Sequence, residues 1–289
     1  MGLTGAIMRK NPIATAIRFW SVAKGLSVAQ IQQAMARPVS LAAVGSPQDQ
    51  DRLIALLSRE PGAAGAPALI GDRVIRATTP DDARAAGAVV VLDAGAANRP
   101  DAGFIAYLSE IAAKHADLRL ALAASFPAFR PIVIGQLIAE SSKENARVAA
   151  LSALPGVIPL TDWLVPATAA GDMYILTKNQ VTLLLQVAAC YGLPPDLKAR
   201  LRELLPVVGG AFGWRAVARE LIGLVPGGVG VIVKASLAYA GTVAVGRAAA
   251  YYYASGGHTL SAADMRRLYR ESLSEATRRV RALLPFRRR

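Results

Sequence analysis

The stretch AAVGSPQDQD, Ala42 to Asp51, follows a short apolar run and precedes the helix-like RLIALL, where a phosphate-binding loop would lie. Such a loop needs a strand, then G-x-x-x-x-G-K-[ST], then a helix, because backbone N–H groups wrap the phosphates and the lysine neutralises them. Laid on this sequence, the motif keeps only Gly45. The second glycine falls on Gln50, the lysine on Asp51 and the Ser/Thr on Arg52, while Asp49 adds a second carboxylate where the phosphates would lie. Two anions facing a triphosphate repel it. The same residues make an ordinary strand-turn-helix, with Ser46 as N-cap, Pro47 at N1, Asp49 at N3 favouring the helix dipole, and Leu53, Ile54 and Leu57 on the buried face. Gly45, Asp49 and Asp51 are therefore read as a degenerate loop.

Other constellations that could do chemistry are sparse. Of the two histidines, His115 ends an amphipathic helix and His258 lies in a Gly-rich turn, and neither has a metal spacing such as H-E-x-x-H. Cys190 is the single cysteine, set in the apolar run LLLQVAACYG, which excludes an intramolecular disulfide and fits a core position in a reducing compartment. Asp81 and Asp82 begin a helix, where acids favour the dipole. Asp162, Asp172, Lys178 and Lys234 stand among apolar residues and predict ion pairing or snorkelling, with an ion path as the alternative. No catalytic residue, cofactor ligand or metal ligand is assigned, and the reading is of a protein that is not an enzyme.

These residues must be positioned by a chain of 289 residues, long enough for two modest domains, in which 53% hydrophobic residues can bury a sizeable core. A mean hydropathy of +0.35 beside a net charge of +13 joins apolar and basic character. That combination fits a membrane surface, and equally a composition rich in Ala and Arg. The N-terminal MGLTGAIMRKNPIATAIRFW is basic but has no unbroken apolar h-region or small-residue cleavage site, so no secretory signal is expected and the cytoplasmic side is the default.

Up to about Arg37 the pattern is helical, with Ile17, Trp20 and Val22 leading into a capping box of Ser27 and Gln30; Pro38 stops it. From Val39 to about Phe126 short apolar runs alternate with helical segments: VSLAAVG, PQDQDRLIALLS, ALIGDRVIRA, PDDARAAG, AVVVLDAG, DAGFIAYLSEIAAKHA and LRLALAASF. The order predicts a small α/β unit with a mainly parallel sheet. After Pro127 the chain reads as wholly helical, with a strong helix over Met173 to Tyr191 and a final amphipathic helix capped by Ser261 and Asp264 through Leu284. The boundaries expected are an N-terminal helical segment 1–38, an α/β domain 39–128 and a helical module 129–289.

Both halves of the chain carry a family resemblance. AVVVLDAG, Ala88 to Gly95, resembles the GTPase strand that ends in an acidic residue, although Gly95 comes one place early for D-x-x-G and Ala96 stands in its place. LRLALAASF occupies the slot of N-K-x-D and offers Ala123, Ala124, Ser125 and Phe126, none of which selects guanine by a carboxylate hydrogen bond. Val39 to Phe126 thus resembles a degenerate GTPase-like P-loop domain. PGVIPLTDWLVPATAAGDMYILTKNQVTLLLQVAACYG, Pro155 to Gly192, with GWRAVARELIGLVPGGVGVIVKASLAYAGTVAVG, Gly213 to Gly246, looks like the domain-of-unknown-function 697 family. That resemblance implies a GTPase-associated helical module, often suspected to act at membranes, without catalytic residues to carry over.

The membrane question rests on Leu221 to Tyr253, where Pro226, Gly227 and Gly228 break the run, Lys234 interrupts it and Arg247 ends it, leaving Val229 to Gly246 as the best span. Its small residues Ala238, Gly241, Ala244 and Gly246 allow close helix approach in a bilayer or in a soluble bundle. Lys234 favours a shallow hairpin or a tightly packed core over a simple span, with Tyr251, Tyr252 and Tyr253 as interfacial aromatics. The last helix carries Arg266, Arg267, Arg270, Arg278, Arg279 and Arg281, followed by Arg287, Arg288 and Arg289, beside an apolar stripe of Met265, Leu268, Tyr269, Leu273 and Leu283. Anionic lipid, nucleic acid, an acidic partner or plain solvent all satisfy such a face, and the scarcity of interleaved aromatics disfavours nucleic acid. Arg278, Arg279, Arg281, Arg287, Arg288 and Arg289 are assigned to anionic-surface contact.

The reading is therefore a fold of α/β plus all-α, a small degenerate GTPase-like parallel-sheet domain followed by an apolar helical module. The expected function is a non-catalytic, membrane-associated interaction or scaffold protein on the cytoplasmic side, needing no cofactor. A soluble pseudo-enzyme regulator of an intact GTPase is the alternative. An atypical nucleotide-binding GTPase would have to bind despite Asp49 and Asp51.

Overall fold

The computed structural model describes residues 28–60, 68–153, 165–200, 203 and 230–283, the side chains of 165–174, 262 and 281–283 excepted. Ile17, Trp20, Val22 and Ser27 of the expected N-terminal helix lie outside the described residues. Helix α1, Val28–Met35, is the first described element; it buries Ile31 and ends before Pro38.

Strand β1 is Leu41–Val44, β2 is Val74–Ala77 and β3 is Val90–Asp93. They form one parallel sheet in the order β2-β1-β3, with Leu41 opposite both Val74 and Val90. The central strand is the continuous apolar run LAAV because both its faces are covered. Leu41, Ala43 and Leu92 face the main core, while Ala42 and Ala77 meet Ala83 in a thin alanine layer. Helices α2, Pro47–Leu57, and α3, Pro80–Ala85, start on local chemistry within three residues. Ser46 Oγ accepts from the Asp49 N–H at 3.2 Å, and Thr79 with Asp82 makes a reciprocal capping box. Leu53 and Leu57 are fully buried, and Ile54 partly so. Helix α4, Asp101–Lys114, reaches the end of β3, where the Tyr107 hydroxyl accepts the Asp93 N–H at 2.7 Å.

One element corrects the expected order. Leu118 to Phe126, read with the short apolar runs of the α/β unit, is helix α5, Arg119–Ser125. The run is Leu and Ala without a β-branched residue, so its propensity is helical, and burial of Leu120, Ala121, Leu122 and Ala123 explains its apolar character on every side. Likewise only Val74–Ala77 of ALIGDRVIRA is strand, preceded by a 3₁₀ turn at Gly71–Arg73.

The helical layer comprises α6, Arg130–Leu151; α7, Val165–Cys190; α8, Gly230–Ala254; and α9, Ala262–Leu283. Helix α8 is its centre, packed against α6, α7 and α9. Alanines and glycines on α8 permit this: a Cβ on Gly246 would lie 2.5 Å from Ile138 Cγ1 of α6. A polar seam ties three helices in register. Asn179 Nδ2 of α7 donates to Asn145 Oδ1 of α6 at 2.8 Å, and Asn145 Nδ2 donates to Thr242 Oγ1 of α8 at 2.8 Å. Ser261 Oγ caps α9 by accepting from the Asp264 N–H at 3.1 Å.

Buried residues from Ile31 through Leu41, Phe129 and Leu183 to Val280 belong to one connected apolar cluster, so the core runs on across residues 126–131. A polar joint crosses the same place. The Tyr191 hydroxyl donates to Glu60 Oε1 at 2.9 Å, Arg130 Nη1 lies 3.7 Å from Glu60 Oε2, and the Arg130 guanidinium stacks 5.1 Å over the Tyr191 ring.

Candidate functional site

In open parallel sheets ligands bind outside the carboxyl ends of the strands, where connections diverge to opposite sides. The order β2-β1-β3 puts that crevice between β1 and β3, with Gly45 at its mouth. Gly45 has φ +146°, and a Cβ there would lie 3.2 Å from Ala94 Cβ of the 3₁₀ turn Ala94–Asn98, so backbone conformation and close packing account for this glycine.

Gln50 occupies the crevice, and the polar side chains around its mouth pair with one another. Gln50, at the position of the motif's second glycine, is 5% exposed and donates through Nε2 to the carbonyls of Gly45 at 3.0 Å and Ala77 at 2.9 Å. Asp49 accepts from Ser46 Oγ at 2.7 Å and from Asn98 Nδ2 at 2.7 Å, and Arg52 donates to Asn98 Oδ1. The hydrogen bonds from Ser46 and then Asn98 hold the Asp49 carboxyl below the usual carboxylate range. Asp51 pairs with Arg76 of β2 at 2.7 Å, and Asp93 Oδ1 accepts the Gly95 N–H at 2.9 Å. The charged side chains of the loop, Asp49, Asp51 and Arg52, and the N–H groups of Gly45, Asp49 and Gln50 are thus each engaged by a neighbour within the protein.

The plug formed by Gln50 and the partner Asn98 escaped the sequence reading. The one local signal was a glutamine where a loop glycine belongs; Asn98 lies 49 residues from Asp49. Gln50→Ala is expected to cost about 1 kcal/mol, because the part-buried Gly45 carbonyl loses its donor while the Ala77 carbonyl keeps the Gly45 N–H at 3.2 Å. Urea unfolding measures it, and an unchanged midpoint would show that the plug contributes nothing.

The remaining sequence candidates are dispersed. His115 caps the end of α4, and His258 is exposed in the turn after α8. Cys190 is buried beside Arg119, Arg130 and Glu60, and burial pushes its thiol up to about 12. Lys178 is exposed, Lys234 Nζ donates to Ser152 Oγ at 2.6 Å, and Asp162 and the Asp172 side chain lie outside the described residues. Among the described residues no group of three or more His, Cys, Asp or Glu could hold a metal ion. A groove of about 410 Å³ between α5, α6 and α7 is lined by both signs of charge, with Arg119 bidentate to Glu140 at 2.6 and 2.7 Å.

Arg266, Arg267, Arg270, Arg278 and Arg279 are all exposed on α9. The Arg281 side chain and Arg287, Arg288 and Arg289 lie outside the described residues, as does the Leu283 side chain. The apolar stripe faces inward: Met265 and Tyr269 are buried, with Leu268 and Leu273 packed partly against the core. Burial pushes the Tyr269 hydroxyl up to about 12. Of the three tyrosines ending α8, Tyr251 is 45% exposed, while Tyr253 packs at 5.5 Å from Tyr191 and edge-on to Tyr252.

Among the described residues α8 is the one helix long and apolar enough to cross a membrane, and 72% of its most apolar window is buried inside the protein. Val229, the start of the expected span, lies outside the described residues. Comparison with family models, with curated proteins and with solved structures found no match to this chain.

Proposed function

We propose that this chain is a non-catalytic, membrane-associated interaction protein of the cytoplasmic face. Helix α9 and the arginines after it contact anionic lipid, and the degenerate GTPase-like α/β unit serves as a protein-binding platform, an intact GTPase being a partner that fits. The supporting observation is the concentration of charge: residues 262–289 hold nine arginines against three acids, in a chain whose net charge is +13. Five of those arginines are exposed on α9. The pairing of Asp49 with Ser46 and Asn98, and of Asp51 with Arg76, beside Gly45 supports a structural role for this loop. Burial of α8 favours attachment through charge over insertion of Val229 to Gly246, since insertion would strip α8 of its contacts with α6, α7 and α9.

Fractionation of cells expressing the full chain tests this, with the membrane pellet washed in high salt, then alkaline carbonate, then detergent. Release by high salt is the expected result, because raised ionic strength shortens the Debye length to about 3 Å at 1 M. Retention until detergent would assign the attachment to α8. Recovery in the soluble fraction from the start would overturn the membrane reading in favour of a soluble pseudo-enzyme regulator, a reading that the burial of α8 also favours.

A further inference from the structure

The arginines of α9 fall into two classes. Arg267 lies 2.9 Å from Asp264 and Arg279 lies 2.8 Å from Glu275, a carboxylate that Arg247 of α8 also approaches at 3.6 Å. Arg266, Arg270 and Arg278 are exposed and have no ion pair or hydrogen bond among the described residues. At 3.6 residues per turn these three fall within about 120° of arc, away from the buried line of Met265, Tyr269, Ser272, Ala276 and Val280. With a rise of 1.5 Å per residue, Arg266 and Arg278 are about 18 Å apart along the axis.

Two physical consequences narrow what this face can bind. Interfacial helices bind by burying an apolar face about 5–10 Å into the headgroup boundary, but the apolar face of α9 is already packed on α8. Contact must therefore be electrostatic and superficial. A single headgroup can bridge Arg266 and Arg270, about 6 Å apart at one turn, but not reach Arg278 as well. The ligand must be extended. Between the arginines the exposed positions are Ala263, Glu271 and Ser274, with no aromatic ring on which a base could stack.

The geometry points to a bilayer surface read by its charge density: Arg266, Arg270 and Arg278 engage several monoanionic headgroups at once, without selecting a headgroup and without insertion. This rests on the membrane reading above. The paired Arg267 and Arg279 contribute less, because Asp264 and Glu275 already offset their charge.

The test is co-sedimentation of the full chain with vesicles of phosphatidylcholine carrying phosphatidylserine, phosphatidylglycerol or a polyphosphorylated inositol lipid, matched for surface charge, at low and high salt. Equal binding to all three, falling with salt, is expected. At about 1 kcal/mol per arginine near an anionic surface, R266Q/R270Q/R278Q should bind about a hundredfold more weakly, and R267Q/R279Q should change binding by less than about tenfold. R266K/R270K/R278K keeps the charge and loses bidentate geometry, so it should bind as the parent does. Because all three side chains are exposed, the thermal midpoint of each variant should match the parent and serves as the folding control. Preference for the polyphosphorylated lipid at matched charge, or loss of binding in the lysine variant, would overturn charge-density reading while leaving membrane association standing. Absence of binding to every anionic vesicle, or binding to duplex DNA instead, would overturn both.

Discussion

Gly246→Leu is expected to lower the thermal midpoint by about 10 °C, the shift that about 3 kcal/mol produces in a chain of this size. At this position α6 and α7 close on α8 from two sides. A Cβ there would lie 2.5 Å from Ile138 Cγ1, 3.0 Å from Ile138 Cδ1 and 3.1 Å from Leu183 Cδ2. Overpacking a well-filled core costs about 1–3 kcal/mol, and a leucine pressing on two neighbouring helices belongs at the upper end. Helix propensity returns only about 1 kcal/mol when glycine is replaced. Gly246→Ala therefore nearly cancels, with the clash of one methyl against the propensity gain. Combining Gly246→Leu with Ile138→Ala vacates the volume the leucine needs, and a double-mutant cycle should recover about 1–2 kcal/mol of coupling. A leucine variant as stable as the parent would mean that α6 and α7 do not meet α8 here.

The second large effect belongs to the joint between sheet and helices. Glu60→Ala should cost about 2 kcal/mol, because it removes a partly buried carboxylate that both Tyr191 and Arg130 engage. Exposure of the paired side chains is 22% for Arg130 and 13% for Glu60, so water compensates poorly. Without the carboxylate, among the described residues the Tyr191 hydroxyl keeps the Ala250 carbonyl at 3.4 Å, and Arg130 keeps the Ala123 carbonyl at 3.4 Å and its stacking over the Tyr191 ring. Glu60→Gln retains an acceptor for Tyr191 and loses the charge, so about 1–2 kcal/mol is expected. Urea unfolding followed separately by near-ultraviolet and far-ultraviolet signals measures both changes. If Glu60→Ala leaves the transition where it was, the α/β unit is held to the helical layer by apolar packing alone.

What the sequence reveals of this protein is what neighbours within a few residues decide. Ser46 with Asp49, Thr79 with Asp82 and Ser261 with Asp264 are three apart, and their caps are formed at the start of α2, α3 and α9. The two apolar runs that lead to Gly45 and Asp93 are strands, and the long periodic segments are helices. Leu118 to Phe126 misleads because a short, uniformly apolar run carries no period, and its Leu and Ala content had to decide between strand and helix. Gln50 filling the crevice, Glu60 meeting Tyr191 over 131 residues, and Asn145 meeting Thr242 over 97 residues are matters of tertiary placement. The same holds for α9: the arginines are plain in the sequence, but their division into paired and unpaired depends on which rotamers reach Asp264 and Glu275. Likewise the hydropathy of α8 fits a bilayer or a core equally, and only the helices around it show which face meets what.

The central place of α8 has a consequence for biosynthesis. Helix α6 ends at Leu151 and the helix that covers it ends at Ala254, so roughly 100 residues separate the two in the nascent chain, about 5–20 s at ordinary elongation rates. Throughout that interval Ile138 lacks the partner that Gly246 of α8 supplies in the finished fold. Helix α6 therefore has α5 and α7 to pack on during synthesis, and its largest helix contact, with α8, closes last.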